Sequence, residues 1–273
     1  MGTRRAILLT TLLLAVVLCS VTWLMHVSRP QEPVYEGRPL SFWLWANDPN
    51  SVSDLPASQR SQSAAALDQI GTNAIPTLMR MLKANEPGWS VKLFELLKRQ
   101  PVIKVAHAPA TRRNQEACEM FGLLGTDARN AVPALVDLLE QDISPTSRYY
   151  TIISLTGIGP PAKAAVPELV KGLTNTEVEI AEASIRALDE IHSNPEVAVP
   201  ALIKTLSGSA REPSDRVRIL SAQALGNFGT DAKPAVPALL KVLKDWRGYE
   251  VGAAAADALK KIAPDAATKA DEK

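Results

Sequence analysis

The sequence is poor in aromatic residues and in cysteine. Phenylalanine, tryptophan and tyrosine make up 5% of its 273 residues, although hydrophobic residues as a whole make up 46%. The interior must therefore be built from Leu, Ala, Val and Ile, which suits closely packed helices better than a β-sandwich. The two cysteines lie far apart, Cys19 in an apolar run and Cys118 in a predicted helix. They predict no intramolecular disulfide.

The chain also lacks a strong excess of charge of either sign. Its formal net charge is +1, and residues 1–29 contain three arginines and no acidic residue. The remainder is left with 27 basic and 29 acidic residues. General nucleic-acid binding needs a pronounced basic footprint, so we expect no nucleic-acid partner.

Motifs that carry catalysis or hold a cofactor are missing as well. The sequence contains no CxxC, HExxH, GxSxG or GxxxxGK[ST] motif. Its three histidines, His26, His107 and His192, are followed by Val, Ala and Ser, so no His-Glu pair is present. We therefore predict a protein that is not an enzyme and that needs no cofactor or metal. Cys118 is expected in the core and not as a nucleophile.

One long apolar run stands near the amino terminus. Arg4 and Arg5 precede 22 uncharged residues, Ala6 to Val27, and a helix of this length reaches roughly 33 Å, enough to cross a bilayer core. The arginines predict a cytoplasmic tail at 1–5, an uncleaved anchor at 6–28 and an extended linker at 29–38. The rest of the chain would then lie outside the cytoplasm. A cleaved signal peptide and a secreted product are the alternative, but the residues LCSV after the apolar core contain no small–x–small site.

A stretch of nine residues occurs five times, each time with proline in third place. The copies read AIPTLMRML at 74–82, AVPALVDLL at 131–139, AVPELVKGL at 165–173, AVPALIKTL at 198–206 and AVPALLKVL at 235–243. In the second copy, Val132, Leu135, Val136 and Leu139 fall on one face of a helix, whereas Asp137 falls on the solvent side. Each copy therefore predicts an amphipathic helix.

The prolines and glycines predict how these helices are joined. Proline is tolerated in the first turn of a helix and disfavours helix in the residue before it, so each copy should begin a new helix. A second amphipathic segment precedes each copy, and four of them end at Gly71, Gly125, Gly159 or Gly229, the usual helix C-cap. Three of the four proline spacings are 34, 33 and 37 residues, a period typical of stacked helix pairs. The sequence thus predicts an all-α solenoid of about five to six helix pairs over 39–263, followed by a disordered tail at 264–273.

The glycine-ended helix, the link GTDARN at 125–130 and the AVPALxxxL pattern resemble bacterial HEAT repeats, including the HEAT-like repeats of phycobilin lyases. The resemblance covers about residues 57–263. It implies that an arginine early in the second helix helps to form a polar ladder between units. That position holds Arg60, Arg148 and Arg218, whereas Asn114, Ala181 and Gly252 depart from the pattern, so the implied ladder is broken. The anchor followed by YEGRPLSFWL also resembles envelope repeat proteins of unassigned role.

The first proline spacing, 57 residues, is longer than the others and indicates an insert near 98–113. The insert contains five basic residues and no acidic one, Lys98, Arg99, Lys104, Arg112 and Arg113. Insertions in solenoids lie in loops on one face, and often on a functional face. These five residues are therefore the candidate interaction surface for an anionic partner, although a solvated loop without a role is the simpler interpretation.

The segment PLSFWLWAND at 39–48 concentrates three aromatic residues, Phe42, Trp43 and Trp45. We expect it to form a cap over the exposed apolar end of the first repeat, and a patch that touches a partner or the membrane is the alternative. Taken together, the sequence predicts a membrane-tethered scaffold that presents a solenoid to a protein partner. A cofactor-handling protein of the phycobilin-lyase type and a structural envelope spacer remain the alternatives.

Overall fold

The computed structural model of the chain describes residues 32–47, 57–86, 109–208, 213–246 and 248–271. A short antiparallel hairpin, β1 Val34–Tyr35 and β2 Arg38–Pro39, comes first. The helices that follow are α1 Leu40–Asn47, α2 Ala57–Ile70, α3 Ile75–Leu82, α4 Ala110–Leu124, α5 Val132–Gln141, α6 Pro145–Ile158, α7 Val166–Gly172, α8 Val178–Ile191, α9 Pro195–Leu206, α10 Asp215–Asn227, α11 Val236–Asp245, α12 Glu250–Ile262 and α13 Pro264–Asp271. The predicted all-α solenoid is confirmed.

The helices form two layers. The first contains the long helices α2, α4, α6, α8, α10 and α12, and from α4 onward each packs against the next. The second contains the short helices α3, α5, α7, α9 and α11, which contain most or all of the repeated nine-residue stretches and pack against the long helix that follows each of them. Five long–short pairs, α2–α3 to α10–α11, are therefore followed by α12 and the terminal helix α13 within the described residues. This number agrees with the predicted five to six.

The face that the spacing predicts is buried or half-buried in the short helices, with one addition. In α5, Val132, Leu135 and Leu139 are buried, but Val136 is only half-buried and Leu138 is buried in its place. Met81 and Val242, which occupy the same position as Leu138 in α3 and α11, are buried too. Each short helix packs against the next long helix and against at least one neighbouring short helix or 3-10 turn, so its apolar face is wider than one four-residue stripe.

The prolines start the short helices, but not by the mechanism that the sequence suggested. Pro133 is the second residue of α5, and Val132 before it is already helical, with φ −53° and ψ −48°. Val166 and Val236 are helical in the same way before their prolines. The change of direction comes earlier, because a glycine with positive φ, such as Gly125 or Gly229, is followed by a 3-10 turn.

Pro200 is the exception to the predicted fresh start. Helix α9 begins at Pro195 and runs through Pro200 without a break. The link before it contains no glycine, and His192 and Asn194 take the left-handed conformation instead, with φ 48° and 53°. Because Pro195 already supplies the first-turn proline, the link residues become the first turn of α9 where the other repeats have a 3-10 turn.

Helix α1 lies within the segment for which the sequence predicts a cap. Leu40, Trp43 and Leu44 are buried, and α1 packs against α2. Trp43 donates its indole N–H to the Tyr35 carbonyl, which holds the β1–β2 hairpin on the cap. The linker predicted over 29–38 is thus folded from Val34 onward, because its end is part of the cap.

The ends of the chain depart from the sequence-based prediction or lie outside the described residues. Residues 264–271 form α13, and Ala267 is buried against the array, so this part of the predicted disordered tail is helical. The anchor predicted at 6–28 lies outside the described residues. In the part that is described, every helix is too short or too polar to span a bilayer.

Candidate interaction surfaces

The basic insert is described only at its end. Lys98, Arg99 and Lys104 lie outside the described residues, and Arg112 and Arg113 stand in the first turn of α4. Arg112 donates from Nε to Glu116 Oε1 at 2.8 Å, and Arg113 forms an ion pair with Glu86 at 3.7 Å. Two of the five predicted surface residues therefore have acidic partners within the array, and the docking role of the insert stays a prediction.

The helix pairs on either side of the insert are packed together despite the break in period. Glu86, before the insert, accepts from the Ala110 backbone N–H at 2.8 Å. Asn114 of α4 donates to the Ala84 carbonyl at 3.1 Å, and Ser147 of α6 donates to the Leu82 carbonyl at 2.6 Å. The described chain before residue 87 and after residue 108 therefore meets at one place, at the edge where long helices begin.

At that same edge, arginines bind the end of the preceding short helix. Arg148 donates from Nη2 to the Leu139 carbonyl at 3.1 Å and from Nε to Asp142 at 2.8 Å. Arg218 donates from Nη1 to the Leu206 carbonyl at 3.0 Å, and its guanidinium lies 5.3 Å from the centre of the Trp246 ring. The last carbonyls of a helix have no intrahelical donors and carry partial negative charge, so a cation is favoured there. Arg148 and Arg218, two of the arginines implied by the resemblance, thus make polar contacts, and these contacts join a short helix to the long helix that follows it.

Ala181 occupies the equivalent position in α8 and is too short to make this contact. Leu173, which corresponds to Leu139 and Leu206 as the last residue of the repeated stretch, lies beside it. An open cleft of about 310 Å³ extends from this point toward α9 and α10. Its other lining residues are Thr174, Asn175, Val178, Lys204, Thr205, Pro213, Ser214 and Val217. We call this opening the Ala181 cleft.

Helix α8 also differs from its neighbours at its start. Ser144 and Ser214 stand four residues before Arg148 and Arg218, and each caps its helix by accepting a backbone N–H. Glu177 takes the same place before α8 and makes no side-chain cap. The fourth pair therefore lacks both polar side chains that fill this edge around Arg148 and Arg218.

A second cleft lies at the opposite edge, near the cap. It has a volume of about 530 Å³ and is lined by Asn47 of α1, by Asp68 of α2, by Leu123 of α4 and by Asp127 in the 3-10 turn after α4. Leu123 is 62% exposed.

The structure also shows a polar ladder that sequence reasoning missed. Asn227 of α10 donates to both carboxylate oxygens of Asp189 in α8, at 3.0 and 2.9 Å. Lys261 of α12 donates to the Asn227 amide oxygen at 2.8 Å. The three side chains are of different types and do not share one repeat position, so no periodic signal in the sequence marks them.

Cys118 and His192 both pack against other parts of the array. Cys118 is free and buried, and burial together with the charge of Glu119 raises the pKa of its thiol to about 12. His192 is exposed at the end of α8, and its ring stacks on Phe228 at 4.5 Å. Within the described ranges, no group of three or more His, Cys, Asp and Glu residues is placed to hold a metal ion.

Comparison with known protein families agrees with this architecture. The family of HEAT repeats matches residues 132–211, and the PBS lyase HEAT-like repeat matches residues 217–245. The chain therefore contains HEAT-like repeats from α5 to α11. No curated protein matches the chain.

Proposed function

We propose that this protein is a non-catalytic scaffold, tethered to a membrane through residues 6–28, that holds a protein partner on its HEAT-like array outside the cytoplasm. HEAT repeats commonly mediate protein interactions, and the matched repeats include those that form the Ala181 cleft. The observation that carries the proposal is this opening between neighbouring repeats. Val178, Ala181 and Val217 give it an apolar centre, whereas Lys204, Thr205 and Ser214 give it a polar rim. An apolar centre within a polar rim is the usual anatomy of a protein interface.

The scaffold is tested by photocrosslinking from a defined position. A photoreactive amino acid in place of Lys204, at the rim of the Ala181 cleft, should give one discrete crosslinked product in intact cells. The matched control places the same amino acid at Lys163, which is exposed in the 3-10 turn before α7. Lys163 thus lies at the amino-terminal end of α7, whereas the cleft lies at its carboxyl-terminal end. Equal crosslinking from both positions, or none from Lys204, would remove the scaffold role at this cleft.

The tether rests on the apolar run at 6–28 and on the arginines before it. Alkaline phosphatase fused after Lys273 should be active, because the enzyme folds to its active form only outside the cytoplasm. The chain should also stay in the membrane during alkaline extraction. An inactive but intact fusion would overturn the orientation, and release of a shortened chain would favour the cleaved signal peptide.

A cofactor-handling role of the phycobilin-lyase type is the second candidate, since the PBS lyase HEAT-like repeat matches residues 217–245. That match covers α10 and α11, which also contribute to the array. The Ala181 cleft, at about 310 Å³, is at the lower limit for small-molecule pockets, whereas the cleft near the cap, at about 530 Å³, lies within their usual range. Bound bilin absorbance after incubation with phycocyanobilin would favour this candidate. A structural spacer, the third alternative, would give neither bilin binding nor a crosslinked product.

A further inference from the structure

We propose that the Ala181 cleft binds an arginine side chain of the protein partner. This inference rests on the proposed scaffold function and names the chemistry that its cleft recognises. The repeats on either side of the cleft each place an arginine of their own, Arg148 or Arg218, at the position that Ala181 occupies in α8.

Arg148 and Arg218 show what this space accepts. Each extends from the first turn of a long helix and donates to the carbonyl of the last leucine of the repeated stretch, Leu139 at 3.1 Å and Leu206 at 3.0 Å. The side chain of Arg148 is 14% exposed, and Arg218 is 6% exposed, so their aliphatic stems are covered by the array. A guanidinium at a helix end, with its stem against apolar side chains, is therefore a stable arrangement in this protein.

The fourth pair offers the end of a short helix without the arginine, but the described lining of its cleft contains neither a carboxylate like that of Asp142 nor a ring like that of Trp246. Leu173 ends the repeated stretch at 165–173 and lines the Ala181 cleft, as do the side chains of Val178 and Val217. A guanidinium entering from outside would meet the carboxyl-terminal end of α7, where a positive charge is favoured. Its stem would lie where Arg148 and Arg218 have theirs, against the first turn of the long helix.

Lys204 is the one basic residue among the described residues that line the cleft, and the proposal requires that a cation can bind beside it. It is exposed. Lys171, the corresponding residue of the preceding repeat, lines a cleft of about 630 Å³ together with Arg148, and it forms an ion pair with Glu168. Ala201 stands at the position of Glu168 in α9, so the charge of Lys204 has no such partner on its own helix and weakens the binding of a cation.

The inference is tested with Nα-acetyl-arginine amide as the probe, on the full chain in detergent micelles with 13C-labelled alanine methyl groups. The probe should shift the methyl resonance of Ala181 in a saturable way. Its citrulline analogue has nearly the same shape but no charge, and should bind about tenfold more weakly, because charge-assisted hydrogen bonds are the stronger ones. Ala181→Arg should abolish the response at neighbouring methyl groups, whereas Ala253→Arg, an exposed position in the first turn of α12, should retain it.

Lys204→Glu separates a cation site from an anion site. The variant should bind the arginine probe several-fold more tightly, since it replaces a like charge with an opposite one. Tighter binding of acetate and weaker binding of the arginine probe to the unchanged chain would overturn the inference. So would equal binding of the arginine and citrulline probes.

The outcome for the arginine and the outcome for the scaffold are distinguishable. If a partner is crosslinked at position 204 but the probe does not bind at Ala181, the scaffold function is supported and the proposal of an arginine-binding cleft is wrong. If the probe binds but no partner is crosslinked, the guanidinium site is supported and the proposed scaffold function is wrong.

Discussion

Gly157 of α6 lies directly against the backbone of Gly122 in α4. A Cβ atom at residue 157 would stand 2.8 Å from the Gly122 Cα, whereas a Cβ at residue 122 would meet no atom within 4 Å. The two glycines thus form one close helix contact in which only Gly157 requires the absence of a side chain. This contact lets two long helices of the array approach each other closely.

The first prediction follows from this asymmetry. Gly157→Ala should lower the free energy of unfolding by about 1–2 kcal/mol, because overpacking against backbone outweighs the gain in helix propensity. Gly122→Ala is the matched control and should raise it by up to about 1 kcal/mol. Urea denaturation followed by circular dichroism measures both. Similar midpoint shifts for the two variants would contradict the packing of α4 on α6.

The second prediction concerns Arg218. Replacing it with alanine should lower the free energy of unfolding by about 2–3 kcal/mol, since a buried, charge-assisted hydrogen bond and the packing of its stem are both lost. Arg216 is the control, because its side chain is 60% exposed and lies 4.0 Å from Glu182. Arg216→Ala should change the stability by about 0.5 kcal/mol or less. Thermal unfolding compares the two variants, and an equal loss would mean that the contact with Leu206 contributes little.

The third prediction concerns Cys118 and pH. Burial raises the pKa of its thiol from 9.0 to about 12, so the folded protein keeps this proton at a pH where the unfolded chain has released it. The stability contributed by the neutral thiol is therefore present below pH 9 and is lost as pH rises from 9.0 toward about 12. The test compares the denaturant midpoints of unfolding of two chains that both carry Cys19→Ser, one with Cys118 and one with Cys118→Ala. As pH rises over this range, the midpoint of the chain with Cys118 should fall more than the midpoint of the Cys118→Ala chain.

Alkylation gives an independent check of the same thiol. Iodoacetamide at about pH 8.5 should modify Cys118 slowly in the folded Cys19→Ser protein and fast after denaturation, because only the accessible thiolate reacts. Fast modification of the folded protein would contradict the burial of Cys118.

Much of the array could be predicted because its signals are local and repeated. The nine-residue stretches place their apolar residues by helical spacing, and glycines such as Gly125 mark the ends of the long helices. Features that depend on one repeat alone were not predictable. Helix α9 runs through Pro200 because the link before it differs from the others, and α13 forms where polar residues suggested disorder.

The candidate site could be located only in part. The substitution at Ala181 is visible in the sequence as a departure from the arginine of other repeats. That it leaves an open cleft depends on where Val217, Lys204 and Pro213 of the next repeat stand, which is a matter of packing between units. The basic insert stands out in the sequence through its charge, yet Arg112 and Arg113 form ion pairs with Glu116 and Glu86, and sequence spacing alone does not identify these partners.

The measurement that tests the account most directly combines the cleft with its partner. A chain with the photoreactive residue at position 204 should also receive Ala181→Arg, which fills the cleft with the side chain that neighbouring repeats carry. We expect this variant to melt no lower than the parent, since filling a cavity and binding a helix end commonly contribute about 0.5–2 kcal/mol. Its crosslinked product should disappear, whereas Ala253→Arg, which adds the same charge at an exposed position, should leave the product unchanged. Undiminished crosslinking in the well-folded Ala181→Arg chain would contradict the claim that the partner is held in this cleft.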